Sequence, residues 1–248
     1  MNICSWPTLA EPHATALREA VAYVVERFHP SAIVAAGSVL RGEGDQSSDL
    51  DLYAIRRGSE RQRASVRIGV VPVEVFVNPP EQIRRYFHAE AAAGRPVAAH
   101  MLATGAVVYR NGDSAILDEL RAEATALLDR GPTIEPDMLT QKRYLAADLF
   151  DDATDVIDSD PDAASLLLDR AVEDAIRCLF WERGRWQPKG KHLLKQLDAL
   201  DPPVARLARA FTQVSVIGGR HDLAREIVRR CTGATGFFEW ETAPERVV

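Results

Sequence analysis

This 248-residue chain has few cysteines, no excess of basic charge and no long apolar run, and each shortage removes a class of protein. The three cysteines, Cys4, Cys178 and Cys231, are odd in number and have no metal-ligand spacing, so neither a disulfide framework nor a zinc module is read. Net charge is −6, whereas a protein that grips a long nucleic acid needs a basic surface to neutralise phosphates. A small molecule or a protein is therefore the expected partner, not a long nucleic acid. No stretch approaches the ~18 apolar residues that cross a bilayer. The start, Met1-Asn2-Ile3-Cys4-Ser5-Trp6-Pro7, lacks the basic and apolar regions of a signal peptide. A cytoplasmic protein without membrane contact is expected. Internal repeats and low-complexity tracts are missing, and no Ser-His-Asp or Cys-His set offers a nucleophile.

What is present divides at Gly131-Pro132. Before it, periodicity predicts a helix over 11–28, stopped by His29-Pro30, and a buried strand over 32–36. A second strand runs to about Ile55, followed by an exposed basic connection from Arg56 to Arg67. Residues 66–77 read as two short strands or one interrupted at Gly69–Pro72, then helices over 81–93 and 96–104. A last strand covers 106–109, and a helix over 114–130 closes this half. After Gly131-Pro132 only helical stripes remain, over 136–157, 162–183, 189–199, 203–216 and 220–231, with Leu207-Ala210-Val214-Ile217 as one such stripe. The predicted class is α+β: a mixed sheet flanked by helices in residues 1–131, then an all-α bundle in 132–248.

The densest information lies between Gly37 and Leu52. Gly37-Ser38 ends the first strand, and eleven residues after Ser38 comes Asp49-Leu50-Asp51-Leu52. On a strand, i and i+2 share a face, so both aspartates point one way and both leucines into the core. Adjacent carboxylates repel unless a cation lies between them, and Mg2+ takes such oxygen ligands together with substrate phosphates. Glycine lets a backbone approach a phosphate, and serine offers a hydroxyl beside a backbone N–H. Gly37 and Gly42 have P-loop spacing, but Glu43 and Gly44 stand where Lys and Ser/Thr are needed, so a Walker A reading fails. A third acid, Glu74, interrupts the β-rich run Val70–Val77. A carboxylate in such a run is either an outward residue of an edge strand or is compensated by a cation or hydrogen bonds.

Gly37, Ser38, Asp49 and Asp51 in this order resemble the signature of the DNA polymerase β-like nucleotidyltransferase superfamily. The resemblance implies a Mg2+-dependent nucleotidyltransferase. Asp49, Asp51 and Glu74 would form its metal-binding and catalytic set, and Gly37, Ser38, Arg41 and Ser48 would bind the nucleotide. Ser48 and Gly42 fit the form of small bacterial members such as the antibiotic nucleotidyltransferases. Leu179–Trp186 resembles a helix end in the bundle of kanamycin nucleotidyltransferase-type enzymes. There Trp181 replaces the glutamate base, Glu182 follows one residue later, and Arg185 stands for the lysine. One residue on a helix turns a side chain by about 100°, so Glu182 does not simply inherit that role. Arg185 and Lys191 would reach the triphosphate, and Asp169, Glu173, Tyr144, Trp181 and Trp186 either line an acceptor pocket or serve the bundle.

The resemblance therefore implies transfer of a nucleoside monophosphate, AMP from ATP, to the hydroxyl of a small acceptor such as an aminoglycoside-like antibiotic, with a homodimer as a possible assembly. The alternatives are an antitoxin-like or regulatory nucleotidyltransferase that binds a protein partner, and a domain that binds nucleotide without chemistry. Arg185-x6-His192 has the spacing of a HEPN ribonuclease motif but crosses the Gly184–Gly190 loop.

Overall fold

The computed structural model describes residues 3–112 and 115–244. Contacts divide it into two compact units, one ending at Arg130 and the other beginning at Gly131.

In the first unit the elements are β1 (Ile3–Cys4), α1 (His13–Phe28), β2 (Ala32–Ala36), β3 (Leu50–Ile55), β4 (Gln62–Ile68), β5 (Val71–Asn78), α2 (Pro80–Ala92), α3 (Val97–Thr104), β6 (Ala106–Arg110) and α4 (Ala115–Arg130). The strands form one mixed sheet in the order β1-β6-β2-β3-β5-β4, in which only β3 and β5 run parallel. Each face has its own core. Leu50, Leu52, Val73 and Val75 pack with Leu17, Val21 and Val24 of α1. Tyr53 and Ile55 pack on the other face with Ile83 and Phe87 of α2, Leu102 of α3 and Leu117 of α4.

This two-sided packing fixes the register of β3. Leu50 and Leu52 are fully buried, each worth roughly 1.5–3 kcal/mol against exposure. Slipping by one residue would exchange them for Asp51 and Tyr53, so the leucines hold Asp51 on the opposite face.

One expectation in this unit needs correction. The basic stretch expected as a connection contains β4, the edge strand, and Gln62–Ile68 pairs antiparallel with all but the last residue of β5. Ala64, Val66 and Ile68 pack inward while Arg63 and Arg67 alternate outward, a charged edge that discourages pairing with other chains. Of the two readings of residues 66–77, that of two strands holds: Gly69-Val70 is the hairpin turn between β4 and β5, and Pro72 lies inside β5. Pro72 is tolerated because the pairing of β3 begins one residue later, at Val73.

The second unit holds α5 (Pro136–Val156), α6 (Pro161–Glu182), α7 (Leu193–Leu200), α8 (Pro202–Gln213) and α9 (Ile217–Thr232) around Phe150, Leu168, Ile176, Leu197, Phe211 and Ile227. Asp160 and Asp201 cap α6 and α8 by accepting from the N–H of Ala163 (3.0 Å) and Val204 (3.1 Å), each followed by proline at the first helical position. The stripe expected for α8 is out of phase. Its buried face is Val204, Ala205, Ala208 and Phe211, whereas Val214 lies past the helix end and Ile217 opens α9. The architecture is an α+β fold with a helical C-terminal region. No helix among the described residues is long and apolar enough to cross a membrane.

Candidate active site

Asp51 and Glu74 stand directly opposite each other on the parallel pair β3 and β5. Neighbouring strands lie ~4.8 Å apart, and partners in register share a face. Asp49 immediately precedes β3 and is exposed, while Asp51 and Glu74 are half-buried. On this face, Tyr53 and Ile55 are buried under α2, α3 and α4. Two carboxylates thus sit side by side at the less covered end of the sheet, and like charges placed opposite each other are destabilising unless compensated.

The corner beside them is built by Gly37. Its φ of +105° is a conformation that other residues adopt rarely. A Cβ placed there would lie 3.2 Å from Asp51 Oδ2 and 3.7 Å from the Asp49 carbonyl oxygen. Glycine therefore leaves open the space against the Asp51 carboxylate. A single 3-10 turn, Val39–Arg41, follows and closes through the Ser38 carbonyl, which accepts from the N–H of Arg41 (3.1 Å) and Glu43 (3.0 Å). The Ser38 hydroxyl makes no capping bond to this turn. Arg41 donates to the Gly37 carbonyl (3.1 Å) and to Glu43 Oε2 (3.0 Å), so its guanidinium braces the corner. Gly44 packs against the same turn, where a Cβ would come within 2.8 Å of Val39.

The spacer is held by residues that the motif does not include. Asp45 Oδ1 accepts from Ser47 N (2.9 Å), Ser47 Oγ (2.7 Å) and Ser48 Oγ (3.1 Å), and Ser48 Oγ accepts from Asp45 N (2.9 Å). Hydrogen bonds from Ser47, then Ser48, hold the Asp45 carboxyl below its usual range. Asp followed two and three residues later by serine is an Asx-turn pattern, and that signal was available in the sequence. The imidazole Nε2 of buried His13, on α1, lies 2.8 Å from the Ser48 carbonyl and ties the residue before Asp49 to the first helix.

Glu74 has a partner that sequence reasoning missed. Arg63 on β4 donates through Nη2 to Glu74 Oε2 at 2.7 Å, and its guanidinium carbon lies 4.8 Å from the centroid of Phe76. Phe76 in turn stacks on Tyr53 with ring centroids 6.0 Å apart. Burial, then the charge of Glu90, pushes the Tyr53 phenol above its ordinary range, so it stays neutral. Among the described residues, no group of three or more His, Cys, Asp or Glu side chains is placed to hold a metal ion.

Arg185 and Lys191 are exposed positions of the second unit, on the loop after α6 and in the 3-10 turn Gly190–His192. Other expected residues there have structural partners. Asp169 pairs with Arg220, and Glu173 pairs with Arg177 at 2.6 Å. Glu182 pairs with Arg143 at 3.0 Å. The Tyr144 ring meets those of Phe237, Phe238 and Trp240 at 5.5–6.2 Å.

A crystal structure of a nucleotidyltransferase-like protein from Exiguobacterium sibiricum 255-15 shares the architecture. Its TM-score is 0.51 at 18% sequence identity, over 88% of this chain and 74% of that one. This likeness establishes a nucleotidyltransferase-like fold. No protein-family model and no curated protein matches the chain.

Proposed function

We propose that the chain is a Mg2+-dependent nucleotidyltransferase that moves a nucleoside monophosphate, AMP from ATP, to the hydroxyl of a small acceptor. The observation that carries this reading is the juxtaposition of Asp51, Glu74 and the Gly37 corner at one end of the sheet. Mg2+ fits this donor set in part. Asp49 and Asp51 offer hard carboxylate oxygens next to a cradle that any side chain at residue 37 would fill, and Glu74 is engaged by Arg63. Asp49 and Asp51 would hold the ion, with phosphate oxygens of the nucleotide completing its shell. When bound, Mg2+ supplies neutralisation of the charge that develops on the leaving pyrophosphate.

The protein's part is to position and to move one proton. The Gly37–Ser38 corner, braced by Arg41, receives the triphosphate. The acceptor oxygen bonds to the α-phosphorus, the bond from that phosphorus to the α–β bridging oxygen breaks, and pyrophosphate leaves. Arg63 engages Glu74 Oε2, and the hydroxyl proton goes to Glu74 Oε1. Incubation with each α-32P-labelled nucleoside triphosphate and an acceptor library, with and without Mg2+, tests the reading. Label should move to an acceptor only with Mg2+, most from ATP, and Asp51→Asn should lower the rate by roughly 100-fold or more. No transfer to any acceptor would overturn it.

A second reading, nucleotide binding without transfer, is favoured by one observation: Glu74 is engaged by a cation already on the protein. It predicts thermal stabilisation by nucleotide without any labelled product.

A further inference from the structure

The acid face of the sheet does not end at Glu74. In the β4–β5 pairing Glu74 is opposite Ser65, Phe76 is opposite Arg63 and Pro72 is opposite Arg67. Partners in register share a face, so a row Asp51–Glu74–Ser65 crosses β3, β5 and β4, whose spacing is ~4.8 Å. Side chains alternate along β4. Ala64, Val66 and Ile68 pack toward α1, which leaves Arg63, Ser65 and Arg67 exposed on the face of the acids. Strand rise sets each arginine about 7 Å from Ser65, one on either side.

The charge changes sign along this row. Gly37, Asp49 and Asp51 lie to one side of Glu74, whereas Gln62–Ile68 on the other side contains two arginines and no acid. Arg63 is engaged on Glu74 Oε2, toward the end of the face where Phe76 packs under the helices. Arg67 stands at the open end. Its Nη1 donates to the Val70 carbonyl (3.0 Å), a neutral acceptor, and among the described residues it forms no ion pair. A charged edge repels foreign strands whatever its sign, so edge protection explains a charge at residue 67 but not a cation beside the acids.

This placement bears on the acceptor. In the transfer proposed above, metal and triphosphate occupy the Gly37–Asp49–Asp51 side of Glu74. An acceptor hydroxyl that gives its proton to Glu74 Oε1 then approaches from the β4 side, and the body of the acceptor lies over Ser65 and Arg67. A polycation such as an aminoglycoside would set its charges against a guanidinium there. An anionic group would meet a planar fork that matches phosphate or carboxylate oxygens two at a time, with the Ser65 hydroxyl as a further donor.

We propose that the acceptor is a hydroxylated small molecule bearing a phosphate or carboxylate, and that Arg67 selects it; this rests on the transfer reading. Calorimetric titrations of the whole chain test the two separately. Mg2+–ATP is titrated first, and absence of binding overturns the transfer reading together with this inference. With Mg2+ and a non-hydrolysable ATP analogue bound, glucose 6-phosphate and gluconate are then compared with neutral glucose and with kanamycin. At least one anion should bind saturably and about tenfold or more tightly than glucose or kanamycin, and the stronger of the two tells phosphate from carboxylate. Arg67→Gln should weaken that anion about tenfold or more, the loss expected for a charged hydrogen-bonding partner, with Mg2+–ATP affinity unchanged. Ser65→Asp, which sets a carboxylate against the anion, should give the same loss and serves if Arg67→Gln does not fold. Where Mg2+–ATP binds, absence of anion binding, preference for glucose or kanamycin, or indifference to these variants overturns the inference and leaves the transfer reading standing. Loss of Mg2+–ATP affinity in Arg67→Gln also overturns it, because Arg67 then serves the nucleotide.

Discussion

The acid pair on the sheet is placed differently from the acids of the helical unit. In the helical unit, Glu173, Asp169 and Glu226 each meet an arginine, and Asp160 and Asp201 cap helices. These acids stabilise the element they sit on. In the sheet unit, Asp51 is placed beside a second acid, Glu74, by a register that the buried Leu50 and Leu52 enforce. Arg63 meets Glu74 at 2.7 Å. A fold that sets like charges side by side gives up stability locally, and perturbed or opposed charges of this kind concentrate at functional sites. The contrast, more than acid content, singles out this end of the sheet for the chemistry proposed above.

Five substitutions in four experiments probe this contrast. Leu52→Ala removes a fully buried side chain that holds Asp51 in place, and should cost about 2–5 kcal/mol in denaturant unfolding together with nucleotide binding. Asp201→Ala removes a cap in the helical unit, and should cost about 1 kcal/mol while leaving nucleotide binding intact. A double-mutant cycle on Arg63→Ala and Glu74→Gln should return a coupling of about 0.2–1 kcal/mol, modest because Arg63 is largely exposed. The smallest effect concerns pH.

His221, buried against Phe150 and 2.9 Å from Thr154 Oγ1, has its pKa lowered by burial and then by Arg225. A histidine whose folded pKa lies below its unfolded value, near ~6.5, contributes stability that is present above that value. This stability is lost as pH falls through the folded pKa. Thermal unfolding of the wild type should therefore weaken more steeply on acidification than that of His221→Gln.

Much of this architecture could be read from pattern. Ala32–Ala36 is fully buried, which is why it reads as a plain apolar run, and α2 and α3 begin at or just after Pro80 and Pro96. The edge strand β4 was hidden because Arg63 and Arg67 flank its inward residues and make the segment look like a surface connection. Strand β1, two residues long, carries no periodicity at all. The stripe expected for α8 failed because α8 ends at Gln213, so apolar residues of a loop and of the next helix were counted as one face.

At the candidate site, the placement of Asp51 between buried Leu50 and Leu52 was legible because strand geometry acts within a few residues, whereas Asp49 lies just before β3. The adjacency of Asp51 to Glu74 depends on a parallel pairing across 23 positions, and the grip of Arg63 depends on the register of the β4–β5 hairpin. Neither is a local property of the chain. Asp45 and His13, which brace the spacer, were legible only in part, since His13 acts from 35 residues away.

In the proposed function, the corner formed by Gly37, Asp49 and Asp51 grips a metal–triphosphate. Calorimetric titration of ATP with Mg2+ into the wild type and into Asp51→Asn tests it most directly. Binding should be saturable and Mg2+-dependent, and should weaken at least about tenfold in the variant, the equivalent of one charged contact. Equal affinity in both proteins, or binding indifferent to Mg2+, would contradict it.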